Sequence, residues 1–294
     1  MLDYHLHLWP HAQGDAETTV EQVTAYCEHA VAAGVTEIAL TEHLFRFTQA
    51  RDLLGGFWDD LPGDALRPGM VAYWDHHARV DLDEYVEVVQ AVKAEGLPVV
   101  LGLEVDFYQD RMDEVAGLLA GYPFDVLLGS VHWLGTWRFD VLSDPQVLAE
   151  WDLRDVDAVW DEYTRAMEEL GESGVCDVFA HPDLAKIAGR VPSVPDEFYD
   201  RITEAAVQSG MAAELSSAGW RKPVGEEYPA PPLLERFVRA GVPLTTASDA
   251  HSLPDVADRA DDLRGLLRAA GVTHLQGYRA RRAHRVPVDR PDGG

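Results

Sequence analysis

The sequence predicts an α/β barrel that gathers polar side chains at the C-terminal ends of its strands. About seven short apolar segments alternate with helical segments, and this alternation is typical of βα units in a parallel sheet. The apolar strands nearest the two termini both end in metal-binding residue types, and a closed sheet would bring them together. A length of 294 residues suits an α/β barrel of one domain. We therefore expect a single barrel domain over residues 1–286, followed by a frayed tail over residues 287–294.

The strands and helices are predicted in the following order. Residues 1–7 form the first strand, and the Thr-Thr-Val-Glu sequence from Thr18 is typical of the capping box that begins a helix, which then runs to Gly34. The next strands are residues 35–40, 98–103, 125–128, 175–180 and 212–215, with helices at 83–95, 113–120, 155–171, 197–209 and 232–240. A last buried strand begins at Pro243 and runs out into Asp249 and His251, which strand alternation places on the same face.

Two long connections, residues 44–79 and 134–151, leave from strand ends where α/β barrels keep their sites. The first carries six aromatic side chains: Phe45, Phe47, Phe57, Trp58, Tyr73 and Trp74. Such aromatic content predicts a packed lid rather than a disordered loop. The Arg-rich residues 279–285 are interpreted as a solvated terminal segment.

Composition excludes several classes of function. A net charge of -27 argues against binding to nucleic acid, and any anionic substrate would need a locally built site. There is no apolar run of about 18 residues and no signal-peptide pattern at the N-terminus, so we expect a cytoplasmic protein without membrane contact. Cys27 and Cys176 form no Cys-x-x-Cys motif and are predicted to be reduced, partly buried thiols. The oligomeric state is open, with a homodimer as one alternative.

Histidine and carboxylate side chains follow nearly every predicted strand. They are His5, His7, His43, Glu104, His132, His181, Asp249 and His251. A lone histidine is more often structural than a ligand, but unrelated placement would scatter the 12 histidines over helices and loops as well. Imidazoles combined with carboxylates suit Zn, Mn or Fe(II). Because this donor set exceeds what one tetrahedral ion accepts, we predict two to three divalent ions bridged by Glu104.

The order of these segments resembles the motifs of the PHP (polymerase and histidinol phosphatase) superfamily. The matching segments are His5-Leu6-His7, Thr41-Glu42-His43, Gly102-Leu103-Glu104-Val105-Asp106, Gly129-Ser130-Val131-His132 and Ser248-Asp249-Ala250-His251. Three further segments, Gly129 to Asp140, His181 to Lys186 and Glu214 to Pro223, are similar to the histidinol-phosphatase branch of that superfamily. The resemblance covers nearly the whole chain.

The resemblance implies a distorted (β/α)7 TIM-like barrel with a trinuclear metal centre. The implied ligands are His5, His7, Glu104 and Asp249 for one ion, Glu104, His132 and His181 for a second, and His43 and His251 for a third. His11 would complete the third set, with Asp15 as the alternative because His11 follows His7 closely. Glu104 and Asp249 would thus serve catalysis as ligands of the ions that activate water.

The candidates for substrate contacts are less specific in the sequence. The basic residues near strand ends that could bind phosphate are Arg221, Lys222, Arg46, Lys186 and Arg190, and a surface ion pair is the alternative for each. Asp183 is a candidate either to orient a histidine ligand or to protonate the leaving group.

The predicted function is hydrolysis of a small phosphomonoester by a metal-bridging hydroxide, as metal clusters favour. The resemblance implies L-histidinol phosphate as the substrate and a role in histidine biosynthesis. Two alternatives stay open: a PHP phosphoesterase acting on nucleotides, sugar phosphates or nucleic-acid 3′ ends, and a non-catalytic metal-binding PHP module. The absence of a basic groove in the sequence disfavours polymeric substrates.

Overall fold

Seven parallel strands form the centre of the computed structural model, which describes residues 1–12, 17–61 and 63–289. The strands are β1 (Leu2–Leu6), β2 (Glu37–Leu40), β3 (Val99–Asp106), β4 (Val126–Ser130), β5 (Val178–Phe179), β6 (Ala212–Ser216) and β7 (Leu244–Ala247). They pair in chain order, each parallel to the next. Directly after β7, the carbonyl of Ala250 accepts from the amide of His7 at 2.8 Å, so the barrel is nearly closed. The predicted seven-stranded barrel is confirmed.

Helices surround the sheet, and some of them begin at polar caps that the sequence supplies. They are α1 (Val20–Ala32), α2 (Thr48–Leu54), α3 (Arg67–His77), α4 (Leu82–Ala94), α5 (Met112–Leu119), α6 (Pro145–Leu153), α7 (Val156–Ser173), α8 (Asp196–Ser209), α9 (Pro231–Ala240) and α10 (Ala260–Ala269). Thr19 accepts a hydrogen bond from the Gln22 amide at the start of α1, and Asp155 does the same for Ala158 in α7. Among the described residues, none of the helices combines the length and apolar character that a bilayer crossing requires.

The two long connections are packed structures that contain helices the sequence did not predict. Helices α2 and α3 lie in the connection after β2, and α6 lies in the connection after β4. Phe45, Phe47 and Trp74 are at most 1% exposed. Phe57 stacks on Trp133, which immediately precedes the second connection, with ring centroids 5.7 Å apart. The predicted packed aromatic lid is confirmed.

The Arg-rich residues 279–285 lie in a β-hairpin that the sequence did not predict, and they are exposed, as expected for a solvated segment. Strands β8 (His274–Arg279) and β9 (Arg282–Pro287) pair antiparallel, and the Arg281 guanidinium contacts Asp177 just before β5. Arg279 contacts Glu37, the first residue of β2, so the hairpin covers the N-terminal end of the barrel. The prediction of a frayed tail from residue 287 is wrong for its first residues. Val288 is buried, and its amide donates to the carbonyl of Thr273 at 3.0 Å. Residues 290–294 lie outside the described part of the chain.

The strands that carry the candidate site are buried along their whole length. Every residue of β1, β3 and β6 is buried, so the charged side chains in them have no access to bulk water. His5, Glu104 and Glu214 are each 0% exposed. Burying such groups is costly unless they are paired or bind a metal, which makes their mutual geometry informative.

The two cysteines provide a direct test of the packing. Cys27 and Cys176 are both free and buried. Burial raises the pKa of the Cys27 thiol to about 12 and also raises the pKa of Cys176. We expect a chromogenic disulfide reagent to titrate neither thiol in the native protein and both after denaturation. Rapid native-state reaction of either cysteine would show that the barrel is packed less tightly than described.

Candidate metal centre

The C-terminal ends of the strands hold the histidines and carboxylates that the sequence singled out. His5 lies in β1, Glu104 in β3, and the others follow directly after β1, β2, β4, β5 or β7. His181 and Asp249 occupy the left-handed region, with φ of 25° and 50°. Non-glycine residues adopt such backbone at a cost, and strain of this kind clusters at functional sites.

Glu104 lies at the centre of this group and contacts five imidazoles. Its Oε2 atom lies 3.1 Å from His5 Nε2, 3.4 Å from His7 Nε2 and 2.7 Å from His43 Nδ1. Its Oε1 atom lies 3.1 Å from His132 Nε2 and 2.9 Å from His181 Nε2. The carboxylate of β3 therefore joins side chains from four other strand ends, as the closed sheet requires.

Asp249 forms a second, smaller convergence point. Its Oδ1 atom lies 3.5 Å from His7 Nε2, 3.8 Å from His5 Nε2 and 3.6 Å from His251 Nδ1. The two termini of the chain thus meet at this end of the barrel, although His7 and Asp249 are far apart in sequence.

The donor atoms form four groups of three whose members all lie within 4.8 Å of one another. The groups are His5 with His7 and Asp249, His43 with Glu104 and His132, His7 with His43 and His251, and His5 with His181 and Glu214. The first contains three of the four residues implied for one ion, and the third contains His43 and His251, which the resemblance assigns to one ion. The second places His43 with Glu104 and His132, whereas the resemblance pairs those two residues with His181.

The donor set fits divalent metal ions. Buried nitrogen atoms of His5, His7, His43 and His251 and the Oε2 atom of Glu104 make no hydrogen bond of good geometry. Buried polar atoms nearly always form hydrogen bonds in native proteins. A group of buried atoms without hydrogen bonds at one place therefore indicates a further binding partner. Imidazole nitrogens and carboxylate oxygens together are the ligands of Zn, Mn and Fe(II).

Electrostatic interactions divide the histidines into two sets. Burial lowers the pKa of His5 and His132, but the Glu104 charge and other carboxylates outweigh this and raise both pKa values well above the ordinary value. For His43 and His251, burial and neighbouring imidazoles prevail and the pKa lies well below the ordinary value. Burial opposes ionisation of Glu104, yet the histidines hold its pKa well below the ordinary value. The cluster thus combines an ionised carboxylate with imidazoles whose lone pairs are available to a cation.

Three carboxylates that sequence reasoning did not single out orient the histidines from behind. Glu214 Oε2 lies 3.0 Å from His5 Nδ1, and Asp106 Oδ1 lies 2.5 Å from His132 Nδ1. Glu42 Oε2 lies 3.5 Å from His7 Nδ1. Each carboxylate contacts the ring nitrogen opposite the one that faces Glu104, which is the usual arrangement behind metal-binding histidines.

The sequence pattern could have indicated two of these carboxylates, Asp106 and Glu214. Asp106 follows Glu104 by two residues on β3, so strand alternation places both on one face. Glu214 is a charged residue between apolar neighbours in β6, and such a residue requires a buried partner. Its partner could not be named without knowing the register between strands.

A cavity of about 490 Å³ opens above the cluster. Its floor includes His43, Glu104, His132, His181, Asp249 and His251, and its walls include Tyr73, His77, Asp140, Leu142, Leu184, Ile187, Lys222 and Tyr228. His11 also lines it and stacks on His251 with ring centroids 3.7 Å apart, while Asp15, the alternative, lies outside the described residues.

Residues 3–218, which are more than half of the chain, match the PHP domain family. The chain belongs to the PHP domain family. A probable histidinol-phosphatase of Deinococcus radiodurans is 32% identical over 277 residues, covering 92% of this PHP chain and 94% of the relative. A probable histidinol-phosphatase of Schizosaccharomyces pombe is 23% identical, covering 90% of this chain and 84% of the relative. The resemblance seen in the sequence motifs is confirmed.

Solved structures share the PHP fold of this chain. A histidinol phosphate phosphatase from Lactococcus lactis, complexed with zinc, L-histidinol and phosphate, aligns with a TM-score of 0.67 at 21% identity. The alignment covers 96% of this chain and 98% of that one. A putative histidinol phosphatase from Listeria monocytogenes aligns with a TM-score of 0.69 at 18% identity, covering 89% and 99%. At these identities, the likeness establishes a common fold.

Asp183 and Lys186 pair with each other in the PHP barrel and do not line the cavity. Asp183 Oδ2 accepts from the Ala230 amide at 2.7 Å and lies 3.0 Å from Lys186 Nζ. Lys186 is 0% exposed and also donates to the carbonyl of Glu227 at 2.6 Å and to Glu226 at 2.9 Å. Their spacing of three residues in a short 3-10 turn brings them together locally. Both residues therefore fix the loop. Because neither lines the cavity, this replaces the predicted roles of Asp183 in orienting a histidine or protonating the leaving group and of Lys186 in binding phosphate.

Arg46 and Arg190 also do not line the cavity of the PHP domain. Arg46 is 0% exposed, its Nη2 donates to the carbonyl of Pro10 at 3.0 Å, and its Nε lies 3.9 Å from Glu42. Arg190 forms an exposed ion pair with Asp152. Arg46 thus lies beside Glu42, the carboxylate that contacts His7. Arg190 forms a surface ion pair, which was the alternative to binding phosphate.

Lys222 is the basic residue among the five phosphate candidates that lines the cavity. Arg221, next to it, pairs with Asp258 at 2.7 Å and donates to the carbonyl of Ser248 at 2.6 Å and of Asp249 at 3.1 Å. Arg221 therefore holds the backbone that presents Asp249, and Lys222 is left as the candidate to meet a phosphate group.

Proposed function

We propose that this PHP protein is a metal-dependent phosphatase that hydrolyses L-histidinol phosphate to L-histidinol in histidine biosynthesis. The observation that carries the proposal is Glu104, whose two oxygens lie among five imidazoles on the floor of an accessible cavity. The proposed substrate is supported by the relative of 32% identity, which is named a probable histidinol-phosphatase.

Two to three ions of Zn, Mn or Fe would be held by the histidines, Glu104 and Asp249. When bound, such ions lower the pKa of water towards neutrality and offset the charge of phosphate oxygens. The proposed ligands are His5, His7, His11, His43, Glu104, His132, His181, Asp249 and His251, of which Glu104 is the proposed bridge between ions. This assignment is supported by the four donor groups and by the unsatisfied buried atoms.

The residues of the chain itself account for binding and orientation. Lys222 at the cavity wall supplies local positive charge, which a protein with a net charge of -27 needs in order to bind a phosphate. Glu42, Asp106 and Glu214 hold the histidine rings in fixed orientations. A cavity of about 490 Å³ is suited to a small molecule. These features favour a small phosphomonoester over a nucleic-acid end.

A phosphate-release screen tests the proposal. L-Histidinol phosphate, sugar phosphates, nucleotides and single-stranded DNA are compared with Mn, Fe and Zn, and we expect the highest kcat/KM for L-histidinol phosphate. An Arg190→Gln variant is the control, because its ion pair with Asp152 is exposed and neither residue lines the cavity, and its activity should stay within about twofold. A higher kcat/KM for a nucleotide or sugar phosphate would replace the substrate, and no hydrolysis with any metal would leave a non-catalytic module.

Replacing Glu214 by glutamine should weaken metal binding by about 10- to 100-fold, the usual effect of losing a carboxylate behind a ligand histidine. Glu214 contacts His5 Nδ1 at 3.0 Å and also accepts from the His181 amide at 2.6 Å, so it orients two histidine positions at once. The dissociation constant for Zn is measured by competition with a fluorescent chelator. Glu235→Gln on the exposed surface of α9 is the matched control. Unchanged affinity in Glu214→Gln would remove this carboxylate from the metal site.

A further inference from the structure

One carboxylate that lines the cavity above the metal donors has no role in the proposed mechanism. Within the described ranges, three carboxylates line the cavity, and two of them, Glu104 and Asp249, belong to the metal-donor groups. The third is Asp140, which belongs to none of the four groups. It follows the aromatic segment after β4 and lies beside the apolar side chain of Leu142 on the cavity wall.

Asp140 forms no direct ion pair within the described part of the chain, although the charges of His132 and Lys222 act on its carboxylate from a greater distance. Its Oδ1 atom is buried and makes no hydrogen bond there. The nearest arginine in sequence, Arg138, is engaged elsewhere: its Nη2 lies 2.9 Å from Asp144, and its guanidinium lies 4.9 Å from the ring centre of Tyr73. Burial raises the pKa of Asp140. An unpaired carboxylate facing a cavity is unfavourable alone and would be stabilised by a cation supplied from the cavity.

The rest of the wall matches the carbon skeleton of a small organic cation. Leu142, Leu184 and Ile187 present apolar surface, while Tyr73 and Tyr228 present aromatic rings. The positive charge that binds the phosphate group would come from Lys222 and from cations held by the metal donors. Among the described residues, the cavity therefore offers Lys222 and the metal donors to a phosphate group and the Asp140 carboxylate to a cation.

We propose that Asp140 is a specificity-determining residue that binds a cationic nitrogen in the leaving group. The inference rests on the proposed phosphatase function and deepens it: the enzyme selects phosphomonoesters of amino alcohols over neutral phosphomonoesters. A protonated amine or imidazole would approach Oδ1 of Asp140 while the phosphate lies at the metal donors. Removing this pairing should affect only substrates that carry a positive charge.

Asp140→Asn tests the assignment, because it keeps the shape of the side chain and removes its charge. The steady-state kinetics of L-histidinol phosphate and of 4-nitrophenyl phosphate, whose organic group carries no cationic nitrogen, are compared at saturating metal. We expect kcat/KM for L-histidinol phosphate to fall by about 10- to 100-fold, the range for a lost charged hydrogen bond. The value for 4-nitrophenyl phosphate and the inhibition constant of inorganic phosphate should change less than about twofold.

The controls separate recognition from folding. Asp152→Asn makes the same chemical change at an exposed position and should leave both substrates unaffected. Asp140→Glu, which retains the charge, should recover part of the preference for the amine, and thermal unfolding shows whether each variant is folded. Equal losses on both esters in folded Asp140→Asn would overturn the inference while leaving the phosphatase proposal intact. Failure of the unmodified protein to hydrolyse either ester would overturn both.

Discussion

Replacing Glu104 by glutamine should lower kcat/KM for phosphomonoester hydrolysis by more than about 100-fold, since even carboxylates behind metal ligands contribute 10- to 100-fold. Glu104 is the side chain that the largest number of histidines contact, at distances of 2.7 to 3.4 Å. Glutamine preserves the volume but offers one neutral oxygen acceptor and an amide donor. The donor would face imidazoles, so the bridge between metal positions would be lost.

The measurement combines kinetics with metal content. We expect folded Glu104→Gln to retain fewer equivalents of metal than the unmodified protein after dialysis, as judged by atomic emission. Glu235→Gln on α9 is again the control, because the same change at an exposed site should alter neither property. If the Glu104 variant kept more than about one tenth of the activity, the bridging role would be wrong.

The barrel could be predicted because its pattern is local. Each βα unit shows an apolar strand followed by a helical segment, and α1 is capped by Thr19, one residue after the Thr18 at which the capping-box pattern begins. The convergence of His5, Glu104 and Asp249 also follows from the topology, since parallel strands in a closed sheet place their C-terminal ends together. Positions 245 residues apart, such as Asp3 and Ser248, are hydrogen-bonded through this closure.

The features that could not be predicted depend on partners distant in sequence. The hairpin β8–β9 contacts Glu37 and Asp177 at the N-terminal end of the barrel, opposite the metal donors. Lys186 has the residue type of a phosphate ligand, but only the fold shows that its donors are occupied by Asp183 and the backbone of Glu227. Residue type alone therefore identifies candidates, and the geometry decides which of them face the cavity.

Removing the metal ions should abolish hydrolysis and also destabilise the protein. Without a cation, the buried cluster retains unsatisfied nitrogen atoms on His7, His43 and His251, and a ligand that binds only the native state stabilises it. At a free metal concentration 100-fold above the dissociation constant, this stabilisation is about 2.7 kcal/mol. We therefore expect dialysis against a chelator to lower both the activity and the Tm, and added Zn, Mn or Fe to restore both.

Metal affinity should also depend on pH, and the pKa shifts of the histidines determine the direction of that dependence. The Glu104 charge raises the pKa of His5 and His132 above the ordinary value, so protons occupy these rings at neutral pH when no metal is bound. Binding must displace those protons, and metal affinity should therefore rise as pH rises and fall as it falls. Calorimetric titrations with Zn in buffers of different ionisation enthalpy measure the protons released. If chelation left activity and Tm unchanged, the cluster would be a buried ion-pair network and not a metal centre. Binding without proton release would instead contradict the raised pKa values of His5 and His132.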